Sequence, residues 1–246
     1  MSRAVKVIDR RRFVGMVGLG LAAAAAGCAG PVGTPVGTPG AAPGGTGSPG
    51  PSPAPRPWSW EIRYIRGTPK VDPSRWKLVI GGLVAAPLEL SLEALRALPA
   101  TEFLARMKCV ECWSGPALWR GVAGADLLGQ VTALPAATHV RLVALDGYDT
   151  TLPLKVITAA RSLFVHTMDG APLPPDNGFP LRLMIPSLYG YKNIKGIERL
   201  EFTDRAILGY WARNGYPDDG GIRAGTDHPL DLGGSRPIKG GEITDY

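Results

Sequence analysis

Almost every residue from 29 to 57 is Gly, Pro, Ala, Ser or Thr, and this stretch divides the chain. Such a segment has too few apolar side chains to offset the conformational entropy that ordering costs. We therefore predict that residues 28–57 form a disordered Gly- and Pro-rich tether. The folded domain is predicted at residues 58–217, and a weakly structured tail that is rich in Gly and Asp follows at residues 218–246.

The N-terminus has the features of an export signal. The run Arg10-Arg11-Arg12-Phe13 resembles a twin-arginine motif. The apolar run that follows, residues 14–26, is shorter than the roughly 20 residues of a membrane-spanning helix and indicates a signal sequence. The run ends in Ala25-Ala26-Gly27-Cys28, which is similar to a bacterial lipobox. Residues 1–27 are predicted to be a twin-arginine lipoprotein signal and Cys28 its lipidated residue, so the domain is expected to be extracytoplasmic and anchored to a membrane. Ordinary signal cleavage near an incidental cysteine is the alternative.

The formal net charge of +6 does not indicate a nucleic-acid-binding protein. Residues 1–27 contain five basic side chains and one acidic side chain, a balance of +4, which leaves +2 for the rest. The folded part therefore lacks the strong basic field that nucleic acids require, and no nucleic-acid partner is expected.

Short runs of alternating polarity, separated by turn signals, predict an α+β domain with many strands and few helices. The turn signals are Asp146-Gly147 and Asp169-Gly170, and Ser91 is the expected N-cap of the first helix. Strands are predicted at residues 76–84, 103–109, 140–144, 163–168, 181–185 and 197–202, and helices at residues 91–98, 122–131 and 152–160.

Cys109 and Cys112 are the two cysteines of this domain, too few for a disulfide framework. Their spacing is that of a dithiol redox pair, but Trp113-Ser114-Gly115-Pro116 follows instead of the helix such a pair requires. A zinc site needs two further ligands, and the three histidines show no ligand spacing. A disulfide across two residues would be strained. Three interpretations of Cys109 remain: a metal ligand, a member of a thiol redox pair or disulfide, and an inert cysteine.

The segment Lys108-Cys109-Val110-Glu111-Cys112-Trp113-Ser114, with Trp119-Arg120-Gly121-Val122 behind it, resembles the Cys-Val-Glu-x-Trp-Ser segment of the sulfite-oxidase-fold molybdenum enzymes. Two later segments, Asn177-Gly178-Phe179-Pro180-Leu181-Arg182 and Tyr189-Gly190-Tyr191-Lys192-Asn193-Ile194-Lys195, also follow the pattern of this family. The resemblance covers about residues 64–216. It implies a sulfite-oxidase-type molybdopterin-binding fold, in which strand-rich mixed sheets carry short helices.

The same resemblance implies that Cys109 gives a thiolate to a molybdenum ion held by molybdopterin, a soft ligand suited to such a centre. The planar fork of Arg182 suits a phosphate or a pterin carbonyl, and Asn193 and Ile194 would act mainly through main-chain groups. The alternative is that Asn177-Gly178 is only a turn and that Lys192 and Lys195 only form a solvated face. The implied cofactor-binding residues are Tyr64, Arg66, Cys109, Asn177, Arg182, Lys192, Asn193, Ile194 and Lys195.

The sequence constrains the type of reaction less than it constrains the cofactor. Sulfite oxidases of this family place an arginine cluster after the metal-binding cysteine, where this chain has Glu111 and Trp113. With Tyr191, these two residues are candidates to shape the catalytic pocket, although Glu111 also fits a structural role. The bacterial extracytoplasmic branch is more similar. It implies oxygen-atom transfer, with reduction of a small-molecule or protein S-oxide or N-oxide by electrons from a membrane partner that is linked to haem or quinone.

Three departures from the family pattern limit these expectations. Gly67 stands where relatives have an Asn that contacts the pterin, which weakens Tyr64 and Arg66 as ligands, and Ala144 replaces a hydroxyl residue. Cys112, where a small residue is common, is interpreted as a small buried apolar residue, with tuning of the metal as the alternative.

Other functions are also compatible with the sequence. They are a sulfite-oxidising enzyme of the same fold, a non-enzymatic lipoprotein, and an exported thiol oxidoreductase that uses Cys109 and Cys112. The sequence has no Cys-x-x-Cys-His motif and no separate dimerisation domain, so we expect no haem and a monomer.

Overall fold

The computed structural model describes Trp60 and residues 63–245. The predicted export signal, the lipidation site at Cys28 and the tether therefore lie outside the described residues. Within the described part of the chain, no helix is long and apolar enough to cross a membrane.

Twelve strands and four short α-helices make up the regular structure of the described residues. A 3-10 helix at Pro175–Asn177 is added to them. The strands are β1 (Lys77–Gly82), β2 (Leu88–Ser91), β3 (Ala100–Lys108), β4 (Trp113–Ala123), β5 (His139–Ala144), β6 (Asp149–Pro153), β7 (Leu163–Met168), β8 (Ala171–Pro172), β9 (Arg182–Met184), β10 (Ile197–Thr203), β11 (Arg223–Pro229) and β12 (Arg236–Gly240), and the helices are α1 (Leu92–Ala97), α2 (Gly124–Leu128), α3 (Leu154–Ile157) and α4 (Tyr210–Arg213).

Both sheets are mixed. In the described residues the first has five strands in the order β2-β1-β10-β5-β6, and its one parallel pair is β1 with β10. The second has seven, in which β4 pairs antiparallel with β3 and β7, while β11 runs parallel to the start of β4. The predicted α+β class with strand-rich mixed sheets is confirmed.

The main core lies between the two sheets. Leu78 and Leu142 of the first sheet share one apolar cluster with Val122 and Phe164 of the second. Successive strand residues face opposite sides of a sheet, so the neighbours of Phe164 in β7 point the other way. They join a smaller cluster around Trp119. Trp119 is fully buried and stacks on Trp60, with ring centroids 5.3 Å apart.

Most predicted elements occur where local signals placed them. Ser91 caps α1, since its Oγ accepts a hydrogen bond of 3.1 Å from the N–H of Ala94. The turn at Asp146-Gly147 is present, and Gly147 adopts a φ of +84°. The helix predicted at residues 152–160 is wrong in extent. Leu152 belongs to β6, where it pairs with Val140, and only Leu154–Ile157 is helical.

The prediction of a weakly structured tail at residues 218–246 is wrong. Within this segment, β11 and β12 pair with each other, and β11 joins the second sheet. Asp227 of β11 is completely buried, and its carboxylate forms ion pairs with Lys108 and Arg236. A segment rich in Gly and Asp becomes ordered here because buried cations elsewhere in the domain supply partners for its acids.

Candidate cofactor site

Cys109 follows β3 directly, and β4 begins at Trp113. Residues 109–112, which we call the Cys109 turn, join the two strands in a tight hairpin. The N–H of Cys109 donates to the carbonyl of Trp113 over 2.9 Å, and the N–H of Cys112 donates to the carbonyl of Cys109 over 3.2 Å. Cys112 is partly exposed and adopts a φ of +73°, so its interpretation as a buried apolar residue is wrong. A residue in this left-handed conformation after a tight turn is a common way to close a short hairpin loop.

The thiol of Cys109 lines a cavity and is largely desolvated. Burial raises the pKa of the Cys109 thiol to about 12, although the N–H of Glu111, 3.5 Å from Sγ, opposes the shift. The thiol also lies 3.7 Å from Oε2 of Glu111, to which it donates. Reactive redox cysteines have a lowered pKa, so this environment disfavours a dithiol reaction. A soft metal ion deprotonates a thiol outright, which fits the same position.

The cavity has a volume of about 620 Å³. Four parts of the chain form most of its wall: the extended segment 63–68, the Cys109 turn, the loop from Tyr189 to Lys195, and α4 with the residues after it. The described residues that line it are Trp60, Arg63, Tyr64, Ile65, Gly67, Thr68, Met107, Cys109, Val110, Glu111, Trp113, Asp146, Tyr148, Asn177, Arg182, Gly190, Tyr191, Asn193, Ile194, Lys195, Tyr210, Trp211 and Tyr216.

Arg182 of β9 is a buried cation without a carboxylate partner among the described residues. Its side chain is almost completely inaccessible, and its guanidinium donates to the carbonyls of Asn177 at 3.1 Å and Asn193 at 3.3 Å. The guanidinium also lies 4.9 Å from the centre of the Trp119 ring. Burial lowers the pKa of Arg182 to about 10. An unpaired buried guanidinium on a cavity wall favours an anionic ligand.

Lys195 adds a second cation to the same end of the cavity. Its Nζ donates to the carbonyl of Arg63 over 2.9 Å and lies 3.9 Å from the centre of the Tyr64 ring. Burial, with repulsion from Arg182, lowers the pKa of Lys195 to about 7. Burial also raises the pKa of Tyr64, to about 12, so the phenol stays neutral. This end of the cavity is therefore an electropositive pocket in which an anion would restore the charge of Lys195.

The desolvated ammonium of Lys195 predicts a pH-dependent stability. In protein purified without cofactor, the folded state releases this proton near pH 7, whereas the unfolded lysine keeps it to about 10.5. The destabilisation is thus fully present below the folded pKa, and stability rises with pH across that window. We expect Lys195→Met to lack this rise and to unfold at higher urea concentration near neutral pH. Urea titrations of both proteins at several pH values measure it, and parallel pH slopes would contradict the desolvation.

Asn177 and Asn193 contribute in different ways. The Oδ1 of Asn177 is buried, lines the cavity and has no hydrogen-bond partner among the described residues. Asn193 uses its side chain within the loop, accepting from the N–H of Ile185 at 2.7 Å and donating to the carbonyl of Leu188 at 3.0 Å. Its main chain is also engaged, since its N–H donates to the carbonyl of Gly190 at 3.1 Å and its carbonyl accepts from Arg182. The carbonyl of Ile194 accepts from the N–H of Leu183 at 2.9 Å, so the main-chain role of Asn193 and Ile194 stays a prediction.

Two predicted ligands do not reach the cavity. Lys192 is buried on the other side of its loop, where Nζ lies 2.9 Å from Oδ1 of Asp218 and 3.3 Å from the carbonyl of Thr151. That carboxylate and carbonyl draw the ammonium away from the cavity, so its assignment as a cofactor ligand is corrected. Arg66 is exposed and lies against the turn at Gly147, outside the cavity wall. Its assignment is corrected as well.

Asp146 and, apart from Tyr191, the members of an aromatic wall were not predicted from the sequence. Asp146 accepts from the N–H of Ile65 at 2.9 Å and so ties segment 63–68 across the cavity. The aromatic wall consists of Tyr148, Tyr191, Tyr210, Trp211 and Tyr216, whose neighbouring rings have centroids 4.9 to 5.9 Å apart. The density of aromatic residues between 210 and 216 was the available signal.

The arrangement defines a pocket for an anionic, hydrogen-bonding cofactor that carries a soft metal. Buried cations, an unpaired buried carbonyl oxygen of the Asn177 side chain and a desolvated thiol line the same cavity. These residues fit molybdopterin, which is polar, phosphorylated and bound to its metal through sulfur. A family model described as "Oxidoreductase molybdopterin binding domain" matches residues 65–211. The chain belongs to this family of molybdopterin-dependent oxidoreductases, which confirms the predicted family and enzyme class.

Relatives are found among bacterial oxidoreductases. An uncharacterised oxidoreductase of Bacillus subtilis, YuiH, is 38% identical over 146 residues, which cover 59% of this chain and 74% of the relative. The catalytic subunits of protein-methionine-sulfoxide reductase from Gluconobacter oxydans and Ralstonia nicotianae are 36% and 29% identical. The matches cover 64% and 68% of this chain but only 57% and 59% of those subunits.

A solved structure has the same fold. The sulfane dehydrogenase SoxCD from Paracoccus pantotrophus aligns with a TM-score of 0.56 at 20% identity. The alignment covers 59% of this chain and 42% of that one. The likeness supports the predicted sulfite-oxidase-type architecture.

Proposed function

We propose that this protein is an exported molybdenum enzyme that reduces an S-oxide, or a related N-oxide, by oxygen-atom transfer. The observation that carries the proposal is the desolvated Cys109 thiol in a cavity that is also lined by buried cations and by aromatic rings. In this arrangement Cys109 is the thiolate ligand of molybdenum. Arg182, Lys195 and Asn177 bind the phosphate and polar edge of molybdopterin, and Asn193 and Ile194 contribute main-chain groups.

The cofactor supplies the chemistry that side chains lack, exchange of an oxygen atom with the substrate and of electrons with a partner. The chain's own residues bind and orient it. The Cys109 turn fixes the thiolate at the end of a rigid hairpin, and segment 63–68 covers the cationic end. Trp113, Tyr191 and Glu111 line the space near the thiol and are the proposed residues that shape access for the substrate.

The electrostatics near Cys109 favour a neutral substrate. Glu111 lies beside the thiol, and its Oε1 is 2.9 Å from the guanidinium of Arg63, so these opposite charges compensate each other. The aromatic wall provides ring faces and edges with which sulfur and its methyl groups interact favourably. A neutral methyl sulfoxide, free or on a protein side chain, satisfies both features. The names of the reductase relatives support the same substrate class.

Sulfite oxidation is the second candidate. Arg63 lines the cavity and is a cation that an oxyanion could contact. The carboxylate of Glu111 argues for the S-oxide, because its negative charge beside the thiol repels an anion that approaches the same place.

We infer the location of the enzyme from the motifs predicted in residues 1–57. The predicted twin-arginine signal, lipidated Cys28 and tether support an extracytoplasmic enzyme held near a membrane, where a haem- or quinone-linked partner would supply electrons. The twin-arginine route exports folded proteins, which suits a cofactor inserted before export.

The test is a combined measurement of metal content and activity. Protein purified from a host that makes molybdopterin is analysed for molybdenum and for pterin fluorescence after denaturation. Methyl sulfoxide reduction with a reduced dye and sulfite oxidation with an oxidised acceptor are then compared. Stoichiometric molybdenum with preference for the sulfoxide is expected. Well-folded protein without molybdenum or pterin would refute the proposal, whereas a preference for sulfite would support the second candidate.

Cys112 provides a control that separates the metal centre from a dithiol. We expect Cys112→Gly to retain sulfoxide reduction within about twofold, because glycine adopts the left-handed conformation of this position without strain. A thiol oxidoreductase would lose its activity with either cysteine. The assay uses loaded protein with the molybdenum content determined in the same sample, and loss of activity at full occupancy would favour the dithiol.

A further inference from the structure

The strand that ends at Cys109 carries two buried cations. Arg106 and Lys108 of β3 are both almost completely inaccessible. Both find their counter-charges in the C-terminal segment 223–245, which lies beyond the family match at residues 65–211. Arg106 pairs with Asp231 at 2.6 Å, and Lys108 pairs with Asp227 at 3.1 Å.

Asp227 also contacts the other side of the Cys109 turn. Its Oδ2 accepts a hydrogen bond of 2.8 Å from the buried hydroxyl of Ser114, the second residue of β4. One carboxylate thus joins the residue before Cys109 to a residue after the turn. With zero exposure, Asp227 is a desolvated carboxylate, so these contacts resist exchange with water.

The backbone of β11 reinforces the same place. The N–H of His228 donates to the carbonyl of Cys112, and the N–H of Leu230 donates to the carbonyl of Ser114, both over 2.8 Å. The loop that binds the cofactor contacts the opposite side, where the N–H of Gly190 donates to the carbonyl of Lys108 over 2.8 Å. The Cys109 turn is therefore enclosed between the cofactor loop and the C-terminal segment.

We propose that the C-terminal segment is part of the metal site and that Asp227 is a positioning residue for Cys109, acting through Lys108 and Ser114. This inference rests on the proposed role of Cys109 as metal ligand. A ligand thiolate needs a fixed direction, and the groups behind a ligand set that direction and tune the metal. The carboxylate holds both ends of the turn, so its loss frees the thiolate to move.

The test compares Asp227→Asn with Asp231→Asn. Each variant removes one carboxylate of the same segment and leaves one cation of β3 unpaired, but in the described structure the Asp231 carboxylate forms no hydrogen bond or ion pair with Lys108 or Ser114. Hydrogen exchange of the peptide that contains Cys109 is followed by mass spectrometry in cofactor-free protein. Amides of β10, in the other sheet, serve as the internal reference for global unfolding.

We expect Asp227→Asn to accelerate exchange of the Cys109 turn at least about tenfold relative to β10, and Asp231→Asn to change that ratio less than about twofold. In loaded protein, Asp227→Asn should shift the absorption band that arises from thiolate-to-metal charge transfer. If Asp227→Asn does not fold, Lys108→Met gives the same test, because Arg236 still compensates Asp227. Equal effects of the two Asp variants, or an unchanged exchange ratio, would overturn the inference. Wild-type protein without molybdenum would instead refute the proposed function and leave the exchange result standing.

Discussion

Replacement of Cys109 by serine is expected to lower kcat/KM for sulfoxide reduction at least about a thousandfold, or roughly 4 kcal/mol of transition-state stabilisation. Serine differs from cysteine in one atom, so it leaves the hairpin intact. Its hydroxyl is a hard donor that does not replace a thiolate on a metal already held by sulfur. Activity is measured with reduced dye and methyl sulfoxide at equal molybdenum content.

The structure of the turn predicts that Cys109→Ser changes the metal ligand but not the fold. The hydrogen bonds that close it join main-chain groups of Cys109, Cys112 and Trp113, none of which the substitution changes. The thermal unfolding midpoint of the cofactor-free variant should therefore stay close to that of wild type. If Cys109→Ser kept more than about a tenth of the activity at full molybdenum occupancy, the thiolate would not be an essential ligand.

Local signals in the sequence predicted the framework of the site. The alternation of polar and apolar residues predicted a strand that ends at Cys109, and in the structure β3 ends at Lys108. The N-cap at Ser91 and the turn at Asp146-Gly147 depend on neighbours within a few residues, and both are present. Arg182, Lys195 and Asn177 were proposed from a resemblance, and the structure brings them together around one cavity with Cys109.

Three of the failures share a physical cause, since each depends on partners distant in sequence. Lys192 and Lys195 look equivalent as loop cations, yet Asp218 draws one inward while the other faces the cavity. The tail looked unstructured because its order depends on cations of β3 more than 100 residues away. The aromatic wall was missed for the same reason, because Tyr148 meets Tyr210 only in the folded chain.

Replacement of Arg182 by methionine is expected to weaken cofactor binding without lowering the stability of the cofactor-free protein. Arg182→Met should weaken retention of molybdopterin by roughly 10- to 100-fold, because four of the five N–H groups of the guanidinium already have partners and one charge-assisted hydrogen bond of about 1.5–3 kcal/mol is lost. The same substitution removes a buried cation that has no carboxylate partner in the described structure. The cofactor-free variant should therefore unfold at an equal or higher urea concentration than wild type.

Arg106 is the matched control, because it is equally buried but paired with Asp231. Arg106→Met leaves that carboxylate without its partner, so the free energy of unfolding should fall by roughly 3 kcal/mol. The cavity keeps its cations in this variant. Pterin content per folded protein and urea midpoints, measured on both variants, separate the two roles. A binding site that uses the Arg182 guanidinium requires lower pterin content without lower stability. If Arg182→Met were destabilised as much as Arg106→Met and still retained pterin, Arg182 would be a structural cation and the electropositive end of the cavity would depend on Lys195 alone.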